Sequence, residues 1–94
     1  MTDTTTKHLR IFGHVQGVYY RAWTQETANG LNLTGWVRNR KDGSVEAIVS
    51  GPESQIMKFI KACHEGPELA TVDTISINEG INEGFTDFTI RETA

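Results

Sequence analysis

The chain has 94 residues, of which 37% are hydrophobic and 22% charged, and its formal net charge is −3 at pH 7. A chain of this length forms one domain with a small core, and the acidic balance disfavours a general nucleic-acid binder, which normally presents a basic face. No apolar run approaches the ~18 residues of a membrane span. The polar beginning, MTDTTTKH, lacks a secretion signal and Cys63 is the only cysteine, so we expect a cytoplasmic protein.

The beginning of the chain predicts a polar tail and then a strand. We expect residues 1–6 to be a flexible N-terminal segment and residues 7–94 to form a single domain. Residues 7–13, KHLRIFG, read as a strand in which Leu9 and Ile11 share one face.

A helix and a hairpin are predicted next. Residues 21–31 have the spacing of an amphipathic helix that stops near an Asn-Gly pair. Its predicted apolar stripe consists of Trp23, Thr27, Ala28 and Leu31. Residues 34–40 and 44–50 predict two strands, because Asp42 and Gly43 between them tolerate the positive φ that a tight hairpin turn requires.

The second half of the chain predicts another helix and two strands. Pro52 suits an early helical position, Gly66 suits a left-handed helix end, and Pro67 forbids continuation. The apolar stripe of this helix consists of Ile56, Phe59, Ile60 and Cys63. Residues 70–78 and 85–92 read as strands.

This order, β-α-β-β-α-β with a short terminal strand, indicates an α+β protein. Both helices fit on one face of a mostly antiparallel sheet, so we expect a two-layer ferredoxin-like sandwich. Many unrelated functions use this architecture, and the function must therefore be argued from a site.

A glycine-bearing segment, GHVQGVYYR at residues 13–21, joins the first strand to the first helix. Gly13 and Gly17 permit unusual backbone conformations and close approach to a ligand. The free N–H groups of a helix N-terminus favour an anion, and the guanidinium of Arg21 binds two oxygens at once. The segment predicts an anion site, and a tight turn with a surface arginine is the structural alternative.

A second segment, GWVRNRKDGSVEAIVSG, places Asn39 near the end of a strand, where asparagine is usually a turn former. Taken together, the two segments resemble the two signature segments of the acylphosphatase family, and the resemblance covers nearly the whole chain. Tyr20 stands where the family often has phenylalanine, and Tyr19 where a smaller residue is frequent.

The resemblance implies a hydrolase that cleaves acyl phosphates, which are carboxyl-phosphate mixed anhydrides, to a carboxylate and inorganic phosphate. It implies that Arg21 binds the phosphate and that Asn39 orients the water. The backbone amides implied to bind phosphate are those of Val15, Gln16, Gly17, Val18 and Tyr19. The family needs no metal or cofactor. The expected partners are a small acyl phosphate and inorganic phosphate, with no nucleic acid or membrane, and the chain is expected to be a monomer.

The implied chemistry suits these few residues. An acyl phosphate expels a carboxylate whose conjugate acid has a pKa near ~4, so the leaving group needs no general acid at neutral pH. Phosphoryl transfer depends chiefly on positioning and charge stabilisation. Asn39 offers both an acceptor and a donor to a water.

Three alternatives share this order of elements. An RNA-binding module stacks bases on its first and third strands, where Phe12 is available but SVEAIVS has no aromatic residue. A non-catalytic phosphate, small-anion or regulatory module does not require a water-positioning amide such as Asn39. A carbamoyl-phosphate-handling domain of a larger maturation protein also resembles the family, and that reading requires a longer chain.

Several other polar residues have structural interpretations. We expect the side chain of His14 to face solvent, although it could add charge near a phosphate. Arg38, Arg40 and Lys41 suit a solvated hairpin end better than substrate steering.

The residues expected to pack in the core are Cys63, Trp23, Trp36, Phe59 and Phe88.

Overall fold

The computed structural model describes residues 4–94, in which two α-helices pack on one face of a five-stranded sheet. The elements are β1 Thr4–His14, α1 Tyr20–Gly30, β2 Thr34–Asn39, β3 Val45–Pro52, α2 Glu53–Glu65, β4 Thr71–Glu79 and β5 Phe88–Ile90. The predicted order of elements and the ferredoxin-like α+β fold are confirmed.

The sheet has the order β4-β1-β3-β2-β5. Strand β1 pairs antiparallel with β3 and β4, β2 pairs antiparallel with β3, and β5 runs parallel to its neighbour β2. Alternation along the strands buries Leu9 and Ile11 of β1 under the helices, as predicted. The core therefore lies between the helices and this face of the sheet.

Strand β1 begins earlier than the sequence predicts. Thr4 pairs with Pro52, and the hydroxyls of Thr6 and Ser50 lie 2.5 Å apart. Of the segment expected to be flexible, residues 4–6 thus belong to β1, and residues 1–3 lie outside the described part of the chain. Pro52 ends β3 and is the N-cap of α2, so it lies one residue before its predicted place inside the helix.

The buried face of α1 differs from the predicted stripe. Its buried residues are Tyr20, Thr24 and Ala28, while Trp23 and Leu31 pack only partly against the core. Thr27 was predicted to lie in this stripe, but it is not buried, and its hydroxyl donates to the Trp23 carbonyl at 2.8 Å. The buried residues are spaced four apart, which places the stripe about one position from the predicted one.

The apolar stripe of α2 is close to the predicted one. Ile56, Phe59 and Cys63 are buried, and Ile60 is partly buried. The ring centroids of Phe59 and Phe88 are 6.1 Å apart, so the core aromatic pair joins α2 to β5.

The other face of the sheet carries an ion-pair cluster around Glu46. Its carboxylate lies 2.6 Å from His8 Nε2, 2.7 Å from Arg38 Nε and 3.3 Å from Arg40 Nη1. Burial alone would raise the pKa of Glu46, but the hydrogen bonds with His8 and Arg38 outweigh burial and the pKa lies below its usual value. Arg38 and Arg40 therefore have a structural role on this face.

Trp36 also lies on this outer face, which corrects its predicted place in the core. It is 6% exposed, but it does not belong to the core cluster. The guanidinium carbons of Arg38 and Arg91 lie 4.7 and 4.8 Å from the centroid of its ring. Two cation–π contacts, rather than helix packing, therefore cover much of this side chain.

Candidate active site

A cleft of about 300 Å³ lies where the loop after β1 and the first turn of α1 meet the end of β2. It is lined by Val15, Gly17, Tyr19, Tyr20, Arg21, Ala22, Asn39 and Ile90. The fold thus brings together Arg21 and Asn39, the two predicted catalytic residues, with three of the five predicted amide residues. Gln16 and Val18 are not part of the lining.

The loop over residues 15–19 has an unusual backbone. Gly17 has a φ of 74°, and Tyr19, the N-cap of α1, has a φ of 70° in the left-handed region. Within residues 4–94, none of the backbone N–H groups of the 15–19 loop has a hydrogen-bond acceptor. These donors form a group beside the positive end of a helix dipole, an arrangement that suits an anion.

Arg21 lies in the first turn of α1 and is half-buried. Its guanidinium has no ion-pair partner and no side-chain hydrogen bond among the described residues. The first turn of the helix also has no acidic residue. The positive charge of Arg21 is therefore free to meet an anion in the cleft.

Asn39 is the last residue of β2 and is 9% exposed. Its side-chain oxygen Oδ1 is buried and has no hydrogen-bond partner in residues 4–94, the only such side-chain atom in this part of the chain. A buried acceptor without a donor costs about 1–3 kcal/mol, and native proteins rarely tolerate one without reason. Asn39 thus lines the cleft with a carboxamide whose buried oxygen lacks a donor in the described part of the chain.

The side chain of Gln16 has a role that the sequence did not reveal. Its Nε2 donates to the carbonyl oxygens of Arg40 and Ser44, each at 2.8 Å. The side chain therefore joins the 15–19 loop to the end of the β2–β3 hairpin. In the sequence, the only sign of this link is that the long polar side chain of Gln16 stands between Val15 and Gly17.

Tyr20 lines the cleft, which the sequence analysis did not predict. Its hydroxyl donates to the Cys63 carbonyl at 2.7 Å. The residue four positions after Cys63 is Pro67, which has no N–H to donate in a helix. The phenol thus satisfies a carbonyl near the end of α2, and its burial raises the pKa of Tyr20.

Gly13 does not line the cleft, in contrast to the ligand contact expected from the sequence. It has a φ of 136° at an irregularity in the pairing of β1 with β4. A Cβ at this position would lie 2.2 Å from the carbonyl oxygen of Thr71. The close approach that requires glycine is therefore to a neighbouring strand.

Other parts of the surface fit the proposed chemistry less well. A second concavity of about 300 Å³ lies on the outer face near Trp36, and its rim bears Glu79 and Glu83, which would repel a phosphate.

His14 is exposed, as expected. Among the described residues there is no group of three or more metal-ligating side chains. No helix in residues 4–94 has the length and apolar character needed to cross a membrane.

Comparison with known proteins identifies the family. The acylphosphatase family model matches residues 7–90. An acylphosphatase of Alcanivorax borkumensis is 51% identical over 79 residues, which cover 84% of this chain and 86% of that protein. The structure of an acylphosphatase from Coxiella burnetii superposes with a TM-score of 0.91 at 36% identity, covering 95% of this chain and 94% of the other.

A longer protein contains the same fold. Full-length HypF, solved in a phosphate- and nucleotide-bound form, superposes with a TM-score of 0.91 at 32% identity. The match covers 99% of this chain but 12% of HypF. The matches to proteins of similar length, with the family model over most of the residues, show that this chain belongs to the acylphosphatase family.

Proposed function

We propose that this acylphosphatase holds the phosphoryl group of an acyl phosphate with Arg21 and the backbone amides of the 15–19 loop, while Asn39 positions the attacking water. The family assignment supports the hydrolysis of acyl phosphates. The roles of the individual residues are our proposal. The observation that supports it most directly is that Arg21 and Asn39 line one cleft, and that within residues 4–94 neither the Arg21 guanidinium nor the Asn39 Oδ1 has a hydrogen-bond partner.

The phosphoryl group binds through charge and directed donors. The amides of Val15, Gln16, Gly17, Val18 and Tyr19 donate to the phosphoryl oxygens, and the guanidinium of Arg21 binds two of them. Each charge-assisted hydrogen bond contributes about 1.5–3 kcal/mol. Because the three phosphoryl oxygens share negative charge in the transition state, the same donors also stabilise that state.

Asn39 supplies position and not base strength. Its carboxamide, which has both a donor and an acceptor, binds the water and holds the water oxygen in line with the scissile bond. The water oxygen bonds to phosphorus while the bond from phosphorus to the bridging oxygen breaks. That electron pair leaves with the carboxylate. One proton of the water stays on the attacking oxygen and the other passes to a phosphoryl oxygen, so the product is dihydrogen phosphate. Arg21 and the amides hold this product until it dissociates.

Hydrolysis of benzoyl phosphate in EDTA tests this assignment. We expect the wild-type protein to hydrolyse the substrate and Arg21→Gln to lose at least about a hundredfold in kcat/KM, because two charge-assisted bonds are lost. Arg91→Gln removes the same charge from the outer face and should remain close to wild type. Hydrolysis that needs an added metal, or equal activity in both variants, would contradict the proposal.

The same assay separates the enzyme from its main alternative. A non-catalytic phosphate or small-anion module would bind phosphate but release none from benzoyl phosphate. The further expectations from the sequence, a cytoplasmic monomer that uses no cofactor and binds neither nucleic acid nor membrane, stay predictions. A titration with RNA at low salt and a sedimentation measurement of the mass address two of them.

A further inference from the structure

We propose that the side chain of Gln16 is a positioning residue that sets the place of Asn39 relative to the phosphoryl group. The inference rests on the proposed function, because it concerns how the water-holding amide is kept at the right distance from the bound substrate. Gln16 lies in the middle of the 15–19 loop, yet it is absent from the lining of the cleft. Its side chain is instead bonded to the hairpin that follows Asn39.

The carboxamide of Gln16 has a fixed orientation. Its Nε2 lies 2.8 Å from two carbonyl oxygens, those of Arg40 and Ser44. Both partners are acceptors only, so a reversed amide would place its oxygen against two other oxygens. With both N–H groups engaged, the end of the side chain is held in two directions and cannot rotate freely.

The two acceptors are the groups that close the hairpin. The backbone N–H of Arg40 donates to the Ser44 carbonyl at 2.8 Å, and that of Gly43 donates to the Arg40 carbonyl at 3.1 Å. Asn39 directly precedes Arg40 and pairs with Val45 across the hairpin. Gln16 therefore binds the backbone one residue away from Asn39.

A second contact holds the other side of the same backbone. The N–H of Ala94 donates to the Asn39 carbonyl, and the N–H of Lys41 donates to the Ala94 carbonyl, each at 3.0 Å. These bonds join β2 to the segment after β5 but reach no part of the 15–19 loop. Among the described residues, Gln16 makes the only side-chain hydrogen bonds between that loop and the hairpin. Beyond the sheet pairing of β1 with β3 and of β3 with β2, this side chain joins the loop directly to the backbone beside Asn39.

The arrangement predicts that binding and turnover respond differently to a change at Gln16. The backbone N–H of Gln16 belongs to the phosphate site and survives a side-chain substitution. The substitution changes the distance between the bound phosphoryl group and the water held by Asn39. A misplacement of about 1 Å can lower the rate about a hundredfold. Phosphate affinity should therefore stay while turnover falls.

The test uses Gln16→Met, which keeps the length of the side chain and removes both donors. We expect kcat for benzoyl phosphate to fall by about 10- to 100-fold, while the inhibition constant of inorganic phosphate changes by less than about twofold. Gln55→Met is the matched control, because Gln55 also donates to a backbone carbonyl, that of Leu31 at 3.4 Å, but lies away from the cleft. Gln16→Asn keeps the amide on a shorter side chain. It replaces Gln16→Met in the same two measurements if Gln16→Met does not fold.

A double-mutant cycle with Asn39→Ala decides whether Gln16 acts through Asn39. If it does, adding Gln16→Met to Asn39→Ala lowers kcat by less than about twofold more. If the kcat losses of the two single variants multiply in the double variant, the inference is overturned. It is also overturned if Gln16→Met weakens phosphate binding as much as it lowers kcat. If Asn39→Ala alone keeps wild-type turnover, the proposed function fails at that step, and the two failures are therefore distinguishable.

Discussion

Arg21 and Asn39 line the same cleft, one from the first turn of α1 and the other from the last residue of β2. Both present a polar group that has no side-chain partner in the described residues. Arg21 offers a permanent positive charge with paired donors, and Asn39 offers a neutral carboxamide. This difference in chemistry separates binding from water positioning, so the two residues should fail in different ways.

We expect Asn39→Ala to lower kcat by about 100-fold or more while the inhibition constant of phosphate stays within about twofold of wild type. The reason is that the phosphate donors are unchanged and only the hold on the water is lost. Initial rates with benzoyl phosphate, with and without inorganic phosphate, measure both constants. A large rise in the phosphate constant would place Asn39 in the binding of phosphate.

Substitutions of Arg21 should show whether its fork or only its charge is needed. Arg21→Lys keeps the charge but cannot bind two oxygens in one plane. We expect its phosphate affinity to fall by about tenfold, and that of Arg21→Gln by about 100-fold or more. Isothermal titration with phosphate measures both. Equal affinities for the two variants would mean that charge contributes nothing, contrary to the proposed site.

Much of the architecture could be predicted from local sequence signals. The alternation of Leu9 and Ile11 and the Asp42-Gly43 turn report directly on backbone geometry, and the structure agrees with both. Trp36 was misplaced because large aromatic side chains usually pack in cores. Its actual environment depends on Arg91, which the parallel pairing of β5 with β2 brings across from the far end of the chain.

The candidate site could be predicted only in part, for a similar reason. The residues for the anion site lie in one contiguous segment, whose glycines and arginine are visible in the sequence. The links made by Gln16 and Tyr20 join residues that are far apart in the chain, with partners on backbone carbonyls. A carbonyl is present at every position, so no residue type in the sequence identifies such a partner.

The hydroxyl of Tyr20 should matter for stability and not for catalysis. Tyr20→Phe removes the donor to the Cys63 carbonyl and leaves a buried acceptor unpaired. We expect the free energy of unfolding to fall by about 1–3 kcal/mol, with kcat nearly unchanged because this hydroxyl points to α2. Urea unfolding followed by tryptophan fluorescence measures the first quantity.

Tyr19→Phe is the matched control for this prediction. It also removes one hydroxyl, but that hydroxyl donates to Glu26 on the exposed side of α1 at 2.6 Å. An exposed bond of this kind contributes little, so we expect a change of less than about 0.5 kcal/mol. A loss of stability as large as that of Tyr20→Phe would contradict the argument from burial.

Glu46 should give the protein a stability that depends on acid pH. Burial opposes its charged form, but bonds with His8 and Arg38 hold the pKa below its usual value in the folded state. Since the unfolded value is about 4.3, the stabilisation is complete above that pH and is lost as the pH falls through the folded pKa. At pH 7 we expect Glu46→Gln to be less stable by about 1–3 kcal/mol.

The pH dependence of that difference is the decisive measurement. Urea unfolding of both proteins between neutral pH and about pH 3 should show the gap narrowing below about pH 4, because wild-type Glu46 then takes up a proton. Glu68→Gln, at an exposed loop carboxylate without an ion pair in residues 4–94, controls for the loss of one charge. If the difference in the free energy of unfolding stays constant or widens toward low pH, the charge of Glu46 does not stabilise the fold. In that case the guanidiniums of Arg38 and Arg40 interact as favourably with water as with Glu46.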